Sequence, residues 1–117
     1  MFTIHLNNMH FFAYHGLHDE ESVTGNSFVV DVNIKFMPAE KIRSIQQTIN
    51  YAEAYTIIKK IMNKPVALLE TLAECIAEEI YTMDNRIREI NVQINKLNPP
   101  IENFSGHVGV TFNKVFE

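Results

Sequence analysis

From Phe28 to Phe36 the chain alternates without a break: Phe28, Val30, Val32, Ile34 and Phe36 fall on one side, Val29, Asp31, Asn33 and Lys35 on the other. Side chains of a strand point to opposite faces of the sheet with a period of two, so this segment reads as a strand with an apolar face to bury. A fold containing it must supply a second layer to cover that face. The same period recurs three times. Phe2, Ile4 and Leu6 alternate with Thr3, His5 and Asn7, and after a phase slip at Asn7–Asn8 the pattern resumes with Met9, Phe11 and Ala13. A slip of this kind predicts a bulge or a break. Ile90, Val92 and Ile94 alternate with Asn91, Gln93 and Asn95; Val108, Val110 and Phe112 alternate with Gly109, Thr111 and Asn113.

The covering layer lies between the second and third of these segments, where the period lengthens. Tyr51, Ala54, Tyr55, Ile58, Ile61 and Met62 recur at spacings of three and four, as in an amphipathic helix. Asn50 suits its N-cap and Glu53 sits where a capping box needs it. Pro65 interrupts the pattern, and a second helix follows with Leu69, Leu72, Ala73, Ile76 and Ile80 as its stripe and Glu74 and Glu78 outside it. Asn98-Pro99-Pro100 rules out continuous strand or helix and makes a rigid connection. The polar segment from Gly16 to Asn26 is too long for a tight hairpin, and loops of this kind often carry function. The order strand, strand, helix, helix, strand, strand predicts one α+β domain over residues 1–117, an antiparallel sheet with both helices on one face.

With 46% hydrophobic and 21% charged residues, a chain of 117 residues can form a packed core. A domain this small leaves much surface unburied, which favours association with copies of itself. A net charge of −4 argues against nucleic acid or an anionic membrane as the main partner. Cys75 is the single cysteine, so no intrachain disulfide forms, and a reducing cytoplasm is the expected location. Met1 to Met9 lack the positive region of a signal peptide, and no apolar run reaches the roughly 18 residues of a membrane span.

Four positions draw attention for chemistry. Lys96 continues the phase of Ile90, Val92 and Ile94, so at the strand end it points to the core side. Partial desolvation lowers the pKa of an ammonium and makes a neutral amine base accessible near pH 7; the alternative is a lysine snorkelling out at a strand terminus. Glu70 begins the second helix at the margin of its apolar stripe. It serves the helix dipole there, or it stands in a pocket and accepts the paired N–H groups of a guanidine-type edge. Tyr51 opens the first helix's stripe, either as core or as a phenol placed to relay a proton. Glu21 lies beside Asp19 and Glu20 in an acidic cluster that reads first as a solvated loop. His10, His15 and His18 are close in sequence, but a zinc site needs converging ligands, and His10 and His15 have opposite strand parity. Metal binding is not expected. The glycines are too few and scattered for a phosphate-cradling loop.

Taken in order, Tyr14-His15-Gly16, Glu21, Gly25, Asn50-Tyr51-Ala52-Glu53, Leu68-Leu69-Glu70, Leu72-Ala73-Glu74, Lys96, Asn98-Pro99-Pro100-Ile101 and Gly109-Val110 resemble the dihydroneopterin aldolases over essentially the whole chain. The resemblance implies the tunnelling fold, in which subunits close side by side into a ring around a central barrel. Two rings stack, commonly as an octamer, and active sites sit between neighbouring subunits. It implies a retro-aldol cleavage of 7,8-dihydroneopterin, in folate biosynthesis, with no cofactor, metal or Schiff base. Carried over by position, Glu70 is the pterin anchor with the Leu69 backbone assisting, and Lys96 the acid–base group. Glu21 holds the trihydroxypropyl chain and its water, and Tyr51 comes from the adjacent subunit to aid protonation. Leu97 and the stretch Asn103–His107 depart from the family pattern and bear on the shape of the lysine pocket. The competing readings are a 2′-epimerase of the same fold, a zinc lyase of that fold using His10, His15 and His18, and a non-catalytic ring-forming or pterin-binding protein.

Overall fold

A computed structural model describes residues 1–17, 21 and 24–117. The expected order is found: β1 (Phe2–Ala13), β2 (Asn26–Phe36), α1 (Tyr51–Met62), α2 (Leu69–Tyr81), β3 (Ile87–Lys96) and β4 (Val108–Val115). A single 3-10 turn at Ile45–Gln47 precedes α1. The strands form one antiparallel sheet in the order β1-β2-β3-β4, so sequence neighbours are spatial neighbours throughout.

Register turns the alternation into two distinct faces. Phe28, Val30, Val32 and Ile34 of β2 pair with Lys96, Ile94, Val92 and Ile90 of β3. These residues are buried beneath the helices. The other face is polar, and one rung runs His5, Asn33, Asn91, Asn113 across all the strands. The phase slip in β1 is a bulge: Leu6 pairs with Val32 and Met9 with Val30, three residues advancing against two. Asn8 takes φ 56° there, a left-handed conformation that asparagine tolerates, and its N–H donates to the Asp31 carboxylate at 2.8 Å. The extra residue returns Met9, Phe11 and Ala13 to the core face.

The Asn50 side chain caps α1 by accepting from the N–H groups of Ala52 (3.0 Å) and Glu53 (3.4 Å). Ala54, Ile58 and Met62 are its buried stripe. Tyr51 does not join that stripe as a core residue; it is 63% exposed. At about 100° per residue it lies on the same face as Ala54 and Ile58, so nothing among the described residues covers the first turn of α1. On α2 the expected stripe of Leu69, Leu72, Ala73, Ile76 and Ile80 is buried, with Ala77 added, and this face packs against β3, β4 and α1.

The chain is long, 52 × 22 × 21 Å, with a radius of gyration of 15.5 Å, where a compact chain of this length has about 13 Å. Among the described residues the outer edges of β1 and β4 are unpaired. Apolar side chains lie open near both: Phe12, Tyr14, Leu17 and Tyr51 at one side, Ile101, Phe104 and Val108 at the other. Unpaired edges with apolar flanks invite pairing with another chain. Among the described residues no helix is long and apolar enough to cross a membrane.

Candidate active site

The site forms where β3 ends. Lys96 keeps the inward phase of its strand and is only 8% exposed. Its ammonium lies 5.8 Å from the centroid of the Phe28 ring, its cross-strand neighbour. It is not the lone desolvated amine that strand phase alone suggested. The carboxylate of Glu21 forms an ion pair with it, and Glu21 is 4% exposed. Glu21 is therefore no part of a solvated acidic loop; Asp19 and Glu20 lie outside the described residues. A buried ion is tolerated when a counter-ion meets it, and breaking such a pair by removing one partner costs about 3–5 kcal/mol.

Gly16 makes room for this pair. It has φ +153°, and a Cβ on it would stand 2.2 Å from Glu21 Oε1. Any side chain at 16 would displace the carboxylate from the lysine. Beyond Lys96, the Asn26 side chain donates to the Asn98 carbonyl and accepts from the Asn98 N–H at 3.2 Å. The Leu97 N–H donates to the Ser27 carbonyl at 3.0 Å. These bonds carry the β2–β3 ladder past its last regular pair and set Pro99 and Pro100 as one wall of a cleft.

The opposite wall is the start of α2. Leu68 is the N-cap, in extended conformation, and its side chain cannot cap the first N–H groups. Leu68, Leu69 and Glu70 line the same cleft as Glu21 and Lys96, a cavity of about 260 Å³. Leu69 is buried beneath the cleft and Glu70 exposed at its mouth. That volume falls just below the roughly 300–1,000 Å³ typical of small-molecule sites. Of the sequence-predicted residues, then, Glu21, Leu69, Glu70 and Lys96 converge. Tyr51 does not line this cleft.

The histidines separate. His10 is exposed on β1, whereas His15 is fully buried past the strand end. His18 lies outside the described residues. The His15 Nδ1 accepts from the Val66 N–H at 3.0 Å, so this nitrogen is already engaged by the backbone. Burial pushes the His15 imidazole below its usual pKa; the Met62 carbonyl opposes this, and the Lys96 charge adds to it.

A profile of the dihydroneopterin aldolases matches residues 4–113, nearly the entire chain. The chain belongs to the dihydroneopterin aldolase family. A Staphylococcus epidermidis dihydroneopterin aldolase is 40% identical over 110 residues, covering 92% of this chain and 91% of its own. The Bacillus subtilis dihydroneopterin aldolase is 36% identical over 104 residues, covering 86% and 87%. The Escherichia coli dihydroneopterin aldolase, solved in complex with neopterin, superposes with a TM-score of 0.80 at 19% identity, over 97% of this chain and 99% of that one. It shares the ββααββ tunnelling fold. Within this dihydroneopterin aldolase-family fold, sequence reasoning passed over Asn26, whose partner is 72 residues away. It also weighed His15 only as a metal ligand, although its placement beside Gly16 tied it to the loop that carries Glu21.

Proposed function

We propose that this cleft cleaves the C1′–C2′ bond of 7,8-dihydroneopterin, releasing glycolaldehyde and 6-hydroxymethyl-7,8-dihydropterin. The observation that carries the proposal is the convergence of an anchoring carboxylate, Glu70, and a buried lysine–carboxylate pair, Lys96–Glu21, on opposite walls of one cleft. Glu70 accepts the two parallel N–H groups of the pterin's 2-amino and N3 edge. The uncapped backbone N–H groups of the first turn of α2, beginning at Leu69, are available to the ring carbonyl.

The trihydroxypropyl chain then lies toward Lys96 and Glu21. Removal of the 2′-hydroxyl proton, through a water held by Glu21 and with Lys96 as the acid–base group, lets the C1′–C2′ electron pair move into the dihydropterin C=N. Glycolaldehyde leaves, and protonation at C1′ restores the ring. The substrate itself carries the electron sink, so the protein supplies positioning and proton transfer. Incubation with 7,8-dihydroneopterin under anaerobic conditions with a chelator tests this. Glycolaldehyde and the hydroxymethyl product are expected in equal amounts; a 2′-epimer alone would establish the epimerase instead, and activity that chelator abolishes would revive the zinc reading.

Tyr51 enters from a second copy in this proposal. Two features support closure into a ring: the uncovered first turn of α1 and, among the described residues, the unpaired outer edges of β1 and β4. An octamer of two stacked rings is the proposed assembly. If sites are shared, Lys96→Ala and Tyr51→Phe proteins, each impaired alone, will regain activity when dissociated and reassembled together. Some boundaries then join an intact Lys96 to an intact Tyr51. Activity of the mixture no greater than the sum of the separate proteins would show that each subunit works by itself.

A further inference from the structure

We propose that His15 is a positioning residue for the pterin end of the cleft: its Nδ1 holds the Val66 N–H, and so sets where Leu69 and Glu70 stand relative to Lys96 and Glu21. The inference rests on the reading of the cleft as a pterin site. Both backbone groups of Val66 are engaged by one short segment. Its N–H donates to His15 Nδ1 at 3.0 Å, and its carbonyl accepts from the Gly16 N–H at 3.1 Å. Val66 precedes Leu69 by three residues, in a connection that follows Pro65 and reaches a helix start without a side-chain cap. That connection is therefore fixed from outside, by the segment whose Gly16 also accommodates Glu21.

The same imidazole reaches the other half of the site. Its ring meets Phe28 edge-on at 5.3 Å between centroids, and Phe28 underlies the Lys96 ammonium. His15 is fully buried and does not line the cleft, so it acts through these neighbours and not by touching substrate.

The geometry also fixes its protonation. An Nδ1 that accepts leaves the proton on Nε2. A second proton would set an Nδ1–H against the Val66 N–H, donor to donor. Among the described residues, the charged groups facing the ring are the Lys96 ammonium from β3 and, through its ion pair, the Glu21 carboxylate from the β1–β2 connection. Phe28 of β2 and the backbone of Met62 and Val66 present neutral groups. Burial and the Lys96 charge thus hold the imidazole neutral around neutrality, and acid would release Val66.

Two variants separate the contact from mere packing. His15→Asn places Oδ1 where Nδ1 stood and keeps an acceptor; His15→Leu keeps bulk without one. With neopterin fluorescence as the binding probe, His15→Leu is expected to weaken affinity about tenfold, the size of leaving one buried donor unmet. Its kcat should stay within about threefold of the parent, since Lys96 and Glu21 remain. His15→Asn should bind within about threefold of the parent. The parent's affinity should also fall as acid protonates His15, while that of His15→Asn does not. The proposal is overturned if folded His15→Leu binds neopterin like the parent, if His15→Asn is as weak as His15→Leu, or if the loss only tracks the unfolded fraction seen by circular dichroism. A parent that binds no neopterin would remove the pterin reading itself and this inference with it; a parent that binds, with an unaffected His15→Leu, removes this inference alone.

Discussion

Lys96→Ala is expected to lower turnover of 7,8-dihydroneopterin by about 10²–10⁴-fold, the usual contribution of one well-placed acid–base group, while the protein still binds pterin. The division follows from the geometry. Lys96 stands at the end of β3, across the cleft from the first turn of α2, so deleting its amine leaves the Glu70 wall in place. The substitution has a second effect that must be separated from the first. Glu21 loses the Lys96 ammonium from a buried ion pair, and breaking such a pair by removing one partner costs about 3–5 kcal/mol. Adding Glu21→Gln to Lys96→Ala removes that penalty without restoring an acid–base group. The double variant should therefore regain thermal stability and remain as slow as the single one. Single-turnover kinetics beside a neopterin titration would check both halves; a Lys96→Ala protein with parental turnover would end the assignment.

Much of this arrangement was legible in the sequence, and what was legible was periodic. Period two placed Lys96 on the inner face, because strand parity propagates from Ile90 to residue 96 without further information. A slip of parity at Asn7–Asn8 foretold the bulge, since any single inserted residue must shift the phase. Helical spacing picked out the stripe of α2, and it failed for Tyr51 in an informative way. The angle was right and the cover was missing among the described residues: Tyr51 is 63% exposed on the face that Ala54 and Ile58 bury.

The contacts between distant segments were not legible. Glu21 read as one of three acidic loop residues, and nothing in a local pattern announces that a lysine 75 residues on will close against it. The pairing of Asn26 with Asn98 and the grip of His15 on Val66 are of the same kind. Each joins a loop to an element fixed only when the sheet has formed, so each is set by tertiary register rather than propensity. The resemblance named Glu21 and Lys96 separately; the structure joins them as a pair.

Glu70→Ala should remove pterin binding rather than chemistry. A carboxylate accepting two parallel N–H groups makes two charge-assisted hydrogen bonds, each about 1.5–3 kcal/mol, so affinity should fall by about a hundredfold or more. Glu70 is exposed at the cleft mouth and stands in the first turn of α2 with its side chain outside the buried stripe. Its loss therefore leaves the core of Leu69, Leu72 and Ala73 unchanged, and melting temperature should move little. Glu70→Gln sharpens the test, because an amide of nearly the same shape presents one acceptor and one donor to an edge that offers two donors. It should bind almost as poorly as the alanine variant, although it could still fill the space. A fluorescence titration with neopterin decides the matter. Parental affinity in both variants would move the anchor elsewhere on the cleft and leave the Lys96–Glu21 pair without a substrate held at the distance its chemistry needs.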